Sequence, residues 1–166
     1  MNQRTRLWLL LTLALLGTAV GAYLAYIAWS PGLTAYCTGL GDCHRVQSSV
    51  YAKIAGDPIA ALGLLMYAGL LTILTLRLIA PQVLPRPLEV WTFALALSGA
   101  GYSVYLTYLE LFVIDAVCIW CVGSATIVSA ICLLAVPDVQ GNTTPPARRV
   151  GRRQLQGAGP VARSDV

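Results

Sequence analysis

Asp115-Ala116-Val117-Cys118-Ile119-Trp120-Cys121 sets two cysteines three positions apart at the mouth of the last long apolar run of the chain. On a helix that spacing puts both sulfurs on one face, close enough to open and close a disulfide. The segment reads as a helix start, with Asp115 as N-cap and Cys118 three residues inside it. The positive end of the helix dipole favours thiolate over thiol, which makes a cysteine there reactive. Glu110 and Asp115 act in the opposite direction by like-charge repulsion. Behind the pair, Val122 to Val136 carries no charge, so the dithiol opens onto an apolar interior.

The elements that must hold such a dithiol follow from composition. The chain has 166 residues, is 57% hydrophobic and only 11% charged, and its mean hydropathy is +0.71, far from the soluble average. Four uncharged runs stand out: Leu7 to Trp29, Pro58 to Leu76, Val90 to Leu109 and Ala116 to Val136. Each approaches the ~20 residues that cross a bilayer core as a helix. A helix satisfies its own backbone in lipid, and no strand-like alternation competes. The fold class is therefore all-α: a membrane four-helix bundle over residues 1–136, followed by a polar tail over 137–166. Arg4 and Arg6 before the first run also suit a secretory signal, but the run is longer than a signal core and no clean cleavage site follows.

Arg4, Arg6, Arg77, Arg86 and the five arginines from Arg148 to Arg163 fall on one side of these spans, and only Arg45 and Lys53 on the other. The positive-inside rule then places both termini of this multi-pass protein in the cytoplasm. The net charge of +4 belongs to this asymmetry and argues for no nucleic acid. Of the five cysteines, Cys37 and Cys43 lie in the first outside loop and Cys118 and Cys121 at the outer end of the last helix, the oxidising side. Cys132 lies deeper, without a pair, and reads as packing.

In the first helix, Gly17-Thr18-Ala19-Val20-Gly21 lets another helix approach closely, and Tyr23, Tyr26 and Trp29 form an interfacial belt. Gly39, Gly41 and Asp42 make the stretch between Cys37 and Cys43 flexible, so a disulfide can close it. Val46, Val50, Tyr51 and Ile54 recur at helical spacing and predict a short amphipathic helix from His44 to Ala55, lying over the bundle. Asp57-Pro58 reads as the cap and first turn of the second helix. Tyr102, Tyr105 and Tyr108 share one face of the third, where they line a cavity or pack; the spacing leaves both open. Leu111 to Ile114 predicts a tight turn into the fourth. Beyond Val136 the chain turns rich in Pro, Gly, Arg and Gln and reads as a disordered basic tail, able to touch anionic lipid heads.

Three chemistries compete for the cysteines. Zinc is poorly served: only Cys118 and Cys121 have ligand-like spacing, and His44 is the single histidine. Bracing is poorly served too, because a C-x-x-C bridge closes almost no loop. Dithiol exchange uses every feature. A mobile outer pair can meet a fixed pair at the bilayer boundary, as exchange through a mixed disulfide requires. The fixed pair can then hand electrons to a membrane-soluble two-electron acceptor such as a quinone.

Cys43-His44-Arg45-Val46-Gln47-Ser48-Ser49, then Gly56-Asp57-Pro58 and Gly63, resembles the loop signature of the vitamin K epoxide reductase family. Ser103-Val104-Tyr105-Leu106 leading into Cys118-Ile119-Trp120-Cys121 is similar to that family's third and fourth helices. The resemblance implies four helices around a quinone (ubiquinone, menaquinone or vitamin K), with Cys37 and Cys43 as shuttle cysteines and Cys118 and Cys121 as the active-site pair. It also implies Ser49 near that pair. Vertebrate members carry a quinone-holding tyrosine four residues after the second active-site cysteine, where this chain has Ala125. Ser124 or a helix-three tyrosine such as Tyr105 then stands in beside Cys121. Many bacterial members carry a fused thioredoxin-like domain, whereas here a polar tail follows the last helix, so a separate thioredoxin-like (DsbA-like) extracytoplasmic protein is implied as partner. The bacterial DsbB has the same two pairs, but its C-x-x-C comes first. The expected activity is oxidation of that partner with a quinone as acceptor, in support of disulfide formation; reduction of vitamin K epoxide in a eukaryotic membrane is the alternative. The charge map makes one direct prediction: in intact cells a membrane-impermeant thiol reagent labels reduced Cys37 and Cys43 from outside, and labelling from the cytoplasmic side alone refutes the orientation.

Overall fold

The computed structural model describes residues 2–30, 32–33, 35–37, 42–54, 56–79 and 87–143. The stretch from Gly39 to Gly41, the turn around Arg86 and the tail beyond Thr143 lie outside them. Four long helices dominate: α1 (Gln3–Trp29), α3 (Ile59–Ile79), α4 (Pro87–Leu109) and α5 (Ile119–Thr143). All four are long and apolar enough to cross a membrane, as the hydropathy pattern predicts. The third span is the least apolar, with a mean hydropathy of 1.2 against 2.0 or more for the others. Two of its hydroxyls are satisfied within the helix: Thr92 donates to Leu88 C=O and Thr107 to Ser103 C=O.

α1 packs on α3 and α5, and α4 closes the bundle against α5. The small residues of α1 allow this. A Cβ at Gly17 would run into the Tyr67 ring, and one at Gly21 would stand 3.1 Å from Leu64 Cα. The main core gathers Leu10, Ala14, Leu70, Leu74, Val128 and Ile131, with Cys132 packed against its edge. A second cluster lies at the other end of the bundle, around Leu24, Val46, Leu109 and Ile114, and includes Cys43 and Cys118.

The arginine end is pinned by charge. Asp138 of α5, its side chain 3% exposed, pairs with Arg6 of α1 and, at 2.9 Å, with Arg77 of α3. Arg77 also reaches Glu89 of α4 at 3.2 Å. One cluster thus joins all four helices, in a place where an unpaired charge would be costly. It also explains a departure from the sequence reading. α5 runs through Pro137 to Thr143 rather than ending at Val136, because Asp138 anchors the turn on which the proline sits.

Between α1 and α3 the expected single amphipathic helix is broken into pieces. α2 (Cys43–Ser48) is followed by a 3-10 turn at Val50–Ala52 and a two-residue antiparallel hairpin, β1 (Lys53–Ile54) with β2 (Asp57–Pro58). Ser49 ends α2 in extended backbone, so Val50 falls off the helical face and is 82% exposed. Asp57 and Pro58 pair with Ile54 and Lys53 rather than forming the first turn of the next helix, which begins at Ile59. At the far end of α4 the backbone widens into a π turn over Glu110–Ile114, in place of the predicted tight turn. The third span therefore reaches Ile114. Asp138→Asn is expected to lower the stability of detergent-solubilised protein by roughly 3 kcal/mol, as loss of one partner leaves two arginines uncompensated; thermal unfolding checks this.

Candidate redox site

Cys37 and Cys43 form a disulfide, with Cα atoms 6.2 Å apart. Cys43 opens α2 and is 1% exposed; the preceding Asp42 caps the helix by accepting the Arg45 N–H at 2.9 Å. The Cys37 side is held from the bundle. Tyr36 donates its backbone N–H to Tyr23 Oη at 3.2 Å and receives the Trp120 indole N–H on its carbonyl at 2.9 Å. Tyr23 and Trp120 rest against each other, ring centroids 4.8 Å apart. The tryptophan inside Cys118-Ile119-Trp120-Cys121 thus fixes the residue next to Cys37. All four cysteines meet in one apolar cluster.

Asp115 does not cap the last helix. It sits in left-handed backbone (φ 54°, ψ 43°), which an aspartate tolerates, and ends the π turn. α5 starts at Ile119, and the Cys118 carbonyl accepts the Val122 N–H at 3.0 Å, so Cys118 itself is the N-cap. The N–H groups of Trp120 and Cys121 stand free of intrahelical partners in this first turn, beside its side chain. Cys118, one residue before the fourth span, is held below the usual thiol range, first by the hydrogen bond from the Cys121 thiol and then by those N–H groups; burial and the Glu110 charge oppose this.

Glu110 organises the approach to the pair. It is 4% exposed, and its Oε2 accepts the Cys118 N–H at 3.0 Å. Its backbone carbonyl takes the N–H groups of both Asp115 and Ala116. One residue therefore ties α4 to the start of α5 by side chain and main chain together.

Beneath the pair lies a cavity of about 440 Å³, mostly apolar and walled by α1, the α2–hairpin segment, α3, α4 and α5. Cys121, Ser124 and Ser49 line it. The Ser49 hydroxyl donates to Val46 C=O at 2.7 Å and not to a cysteine, so it fastens the end of α2 against the cavity wall. Ser124 meets Tyr67, whose hydroxyl donates to Ser124 C=O at 2.8 Å and lies 3.0 Å from its Oγ. Tyr105 corrects the expectation. It is 51% exposed and turned away from the lining; Tyr102, nearly one turn earlier, is the helix-three tyrosine that faces the cavity. Gln47 Nε2 is buried on the same wall with no hydrogen-bond partner among the described residues. A donor left unmet in an apolar cavity fits a ligand carbonyl.

With this arrangement in view, the comparison with known families is decisive. The model of the vitamin K epoxide reductase family matches residues 8–136. The chain belongs to the vitamin K epoxide reductase family. It is accordingly a multi-pass membrane oxidoreductase, from a family linked in general to quinones. Sequence reasoning named the cysteines and both serines, and took Glu110 only as a charge opposing the thiolate, but passed over Tyr67 and Gln47. An acidic residue inside an otherwise apolar span was the available signal for Glu110. Gln47 and Tyr67 carried none, since their roles depend on which way α2 and α3 face. Ser49→Ala is expected to lower turnover roughly tenfold, the effect of one lost hydrogen bond at a buried helix end, with partner KM little changed. Ser48→Ala, at an exposed position off the cavity, should stay near wild type; steady-state kinetics distinguish them.

Proposed function

We propose that this chain oxidises a reduced, extracytoplasmic thioredoxin-like protein and passes the electrons through two cysteine pairs to a quinone, supporting disulfide formation. The observation that carries this reading is the meeting of all four cysteines in one cluster, with the Cys118–Cys121 pair bordering an apolar cavity. A bound quinone supplies a two-electron, two-proton acceptor. Its fit is supported by the apolar wall, by the unmet Gln47 amide and by the Tyr67–Ser124 hydroxyls. Gln47, Ser124 and Tyr102 are the residues that would hold it, with Cys121 beside them.

The residues divide the work by depth. Cys37 is half-buried and meets the partner, whereas Cys43 is buried next to the active pair and bridges to Cys118. Cys118, as helix N-cap, is the sulfur best able to stand as thiolate in that exchange. Cys121 faces the cavity. In this reading the cysteine end lies outside the cytoplasm of a bacterial inner membrane, with both termini within.

The direct test is purified protein in detergent with a quinone and a reduced thioredoxin-like protein, following quinone absorbance. No partner-dependent change refutes the activity. Trapped intermediates test the order. Cys121→Ala is expected to accumulate a Cys43–Cys118 bond, and Cys43→Ala a bond between Cys37 and the partner, read by non-reducing gels and peptide mapping. A trapped Cys37–Cys118 bond reverses the roles of the loop cysteines.

A further inference from the structure

We propose that Glu110 is a catalytic residue of this site, the base that takes the proton of the Cys121 thiol and returns it on the cavity side. The inference rests on the thiol-disulfide function proposed above and assigns it a proton path. Glu110 and Cys121 line the same cavity, and the Glu110 carboxylate stands at the head of the dithiol, its Oε2 3.0 Å from the Cys118 N. Cys118 cannot both accept the Cys121 proton for good and pair with Cys121 in a disulfide. Glu110 can hold it, because only its Oε2 is committed, to the Cys118 N–H.

The position suits a relay as well as a base. Glu110 borders the apolar cavity on one side and, on the other, a small polar pocket with Asp42, Arg45 and Asp115. The remaining titratable groups on the cavity wall are Lys53, Tyr51, Tyr67 and Tyr102. As the dithiol is oxidised, the Cys121 S–H bond breaks and its proton moves to the Glu110 carboxylate. The Cys118–Cys121 S–S bond forms, and the electron pair leaves to the quinone acceptor with two protons, one from Glu110 and one from the Cys118 thiol. Glu110 ends ionised, ready for the next cycle.

A carboxylate that merely positions Cys118 makes a different prediction from one that shares the Cys121 proton. The readout is the rate of Cys121 alkylation by iodoacetamide against pH, by peptide mass spectrometry, with the loop disulfide intact and no quinone or partner present. In Cys118→Ala protein Glu110 is the remaining acceptor. A thiol and carboxylate sharing one proton keep a constant thiolate fraction between their two titrations. The rate is therefore expected to change less than about threefold over at least two pH units between pH 5.5 and 8.5. With Glu110→Gln added, the amide oxygen still accepts the Cys118-position N–H, but the rate should climb about tenfold per pH unit over the same range. A tenfold-per-unit climb in Cys118→Ala alone, or matching profiles in both proteins, overturns the proposal. The first arm decides even if the Gln variant fails to fold. With Cys118 restored, Glu110→Gln should cut turnover roughly a hundredfold. Wild-type protein that never turns over refutes the proposed function and leaves the alkylation result standing; wild-type turnover with matching profiles refutes the role of Glu110.

Discussion

A carboxylate in an apolar interior must be answered by donors, and Glu110 is answered by the cysteine motif itself. The Cys118 N–H meets its side chain, while the N–H groups of Asp115 and Ala116 meet its carbonyl. Most of the site depends on this one residue. It ends α4 as a π turn, reverses the chain through a left-handed aspartate and delivers Cys118 to the first position of α5. There Cys118 is the N-cap, so the residue that starts the helix is also the residue the helix activates. Trp120, one residue later, reaches back to Tyr36 and brings the loop disulfide alongside.

The two ends of the bundle solve opposite problems. At the arginine end, Asp138 draws Arg6 and Arg77 into one buried cluster, which holds four helices in register through charge pairing. At the cysteine end the helices stand around a cavity and cannot close on one another. There the structure is held by hydrogen bonds at the rim, by the Tyr23–Trp120 contact and by the Cys37–Cys43 bridge. A base fixed by charge thus stands opposite a rim joined by a bond that thiol exchange can open.

The cavity shows how a missing side chain can be replaced from elsewhere. Where vertebrate relatives are implied to place a tyrosine, Ala125 offers nothing polar. Polar groups on this wall come from every helix but α1, among them Gln47 on α2, Tyr67 on α3, Tyr102 on α4 and Ser124 on α5. Each stands on an element held by close packing, as with Tyr67 against Gly17.

The four spans, their lengths and the pairing of a loop dithiol with a C-x-x-C at the head of the last helix were legible in the sequence. Lipid enforces an apolar run of fixed length, and cysteine chemistry enforces spacing, so both leave local marks. Helix rotation leaves none. One residue turns a side chain by about 100°, and which face meets the cavity is set by neighbouring helices. That is why Tyr102 lines it and Tyr105 does not, although both fit the same periodicity. The amphipathic pattern from His44 to Ala55 was broken for a similar reason. Ser49 satisfies the end of α2 locally, and the hairpin of Lys53–Ile54 with Asp57–Pro58 returns the chain to α3. The cap of α5 was misplaced because Asp115 is a good cap anywhere, and only the buried Glu110 carboxylate made Cys118 the better start. Sequence alone thus determined the membrane span pattern and the family's redox character; tertiary packing decided which polar groups face the cavity and where the helix of the cysteine pair begins.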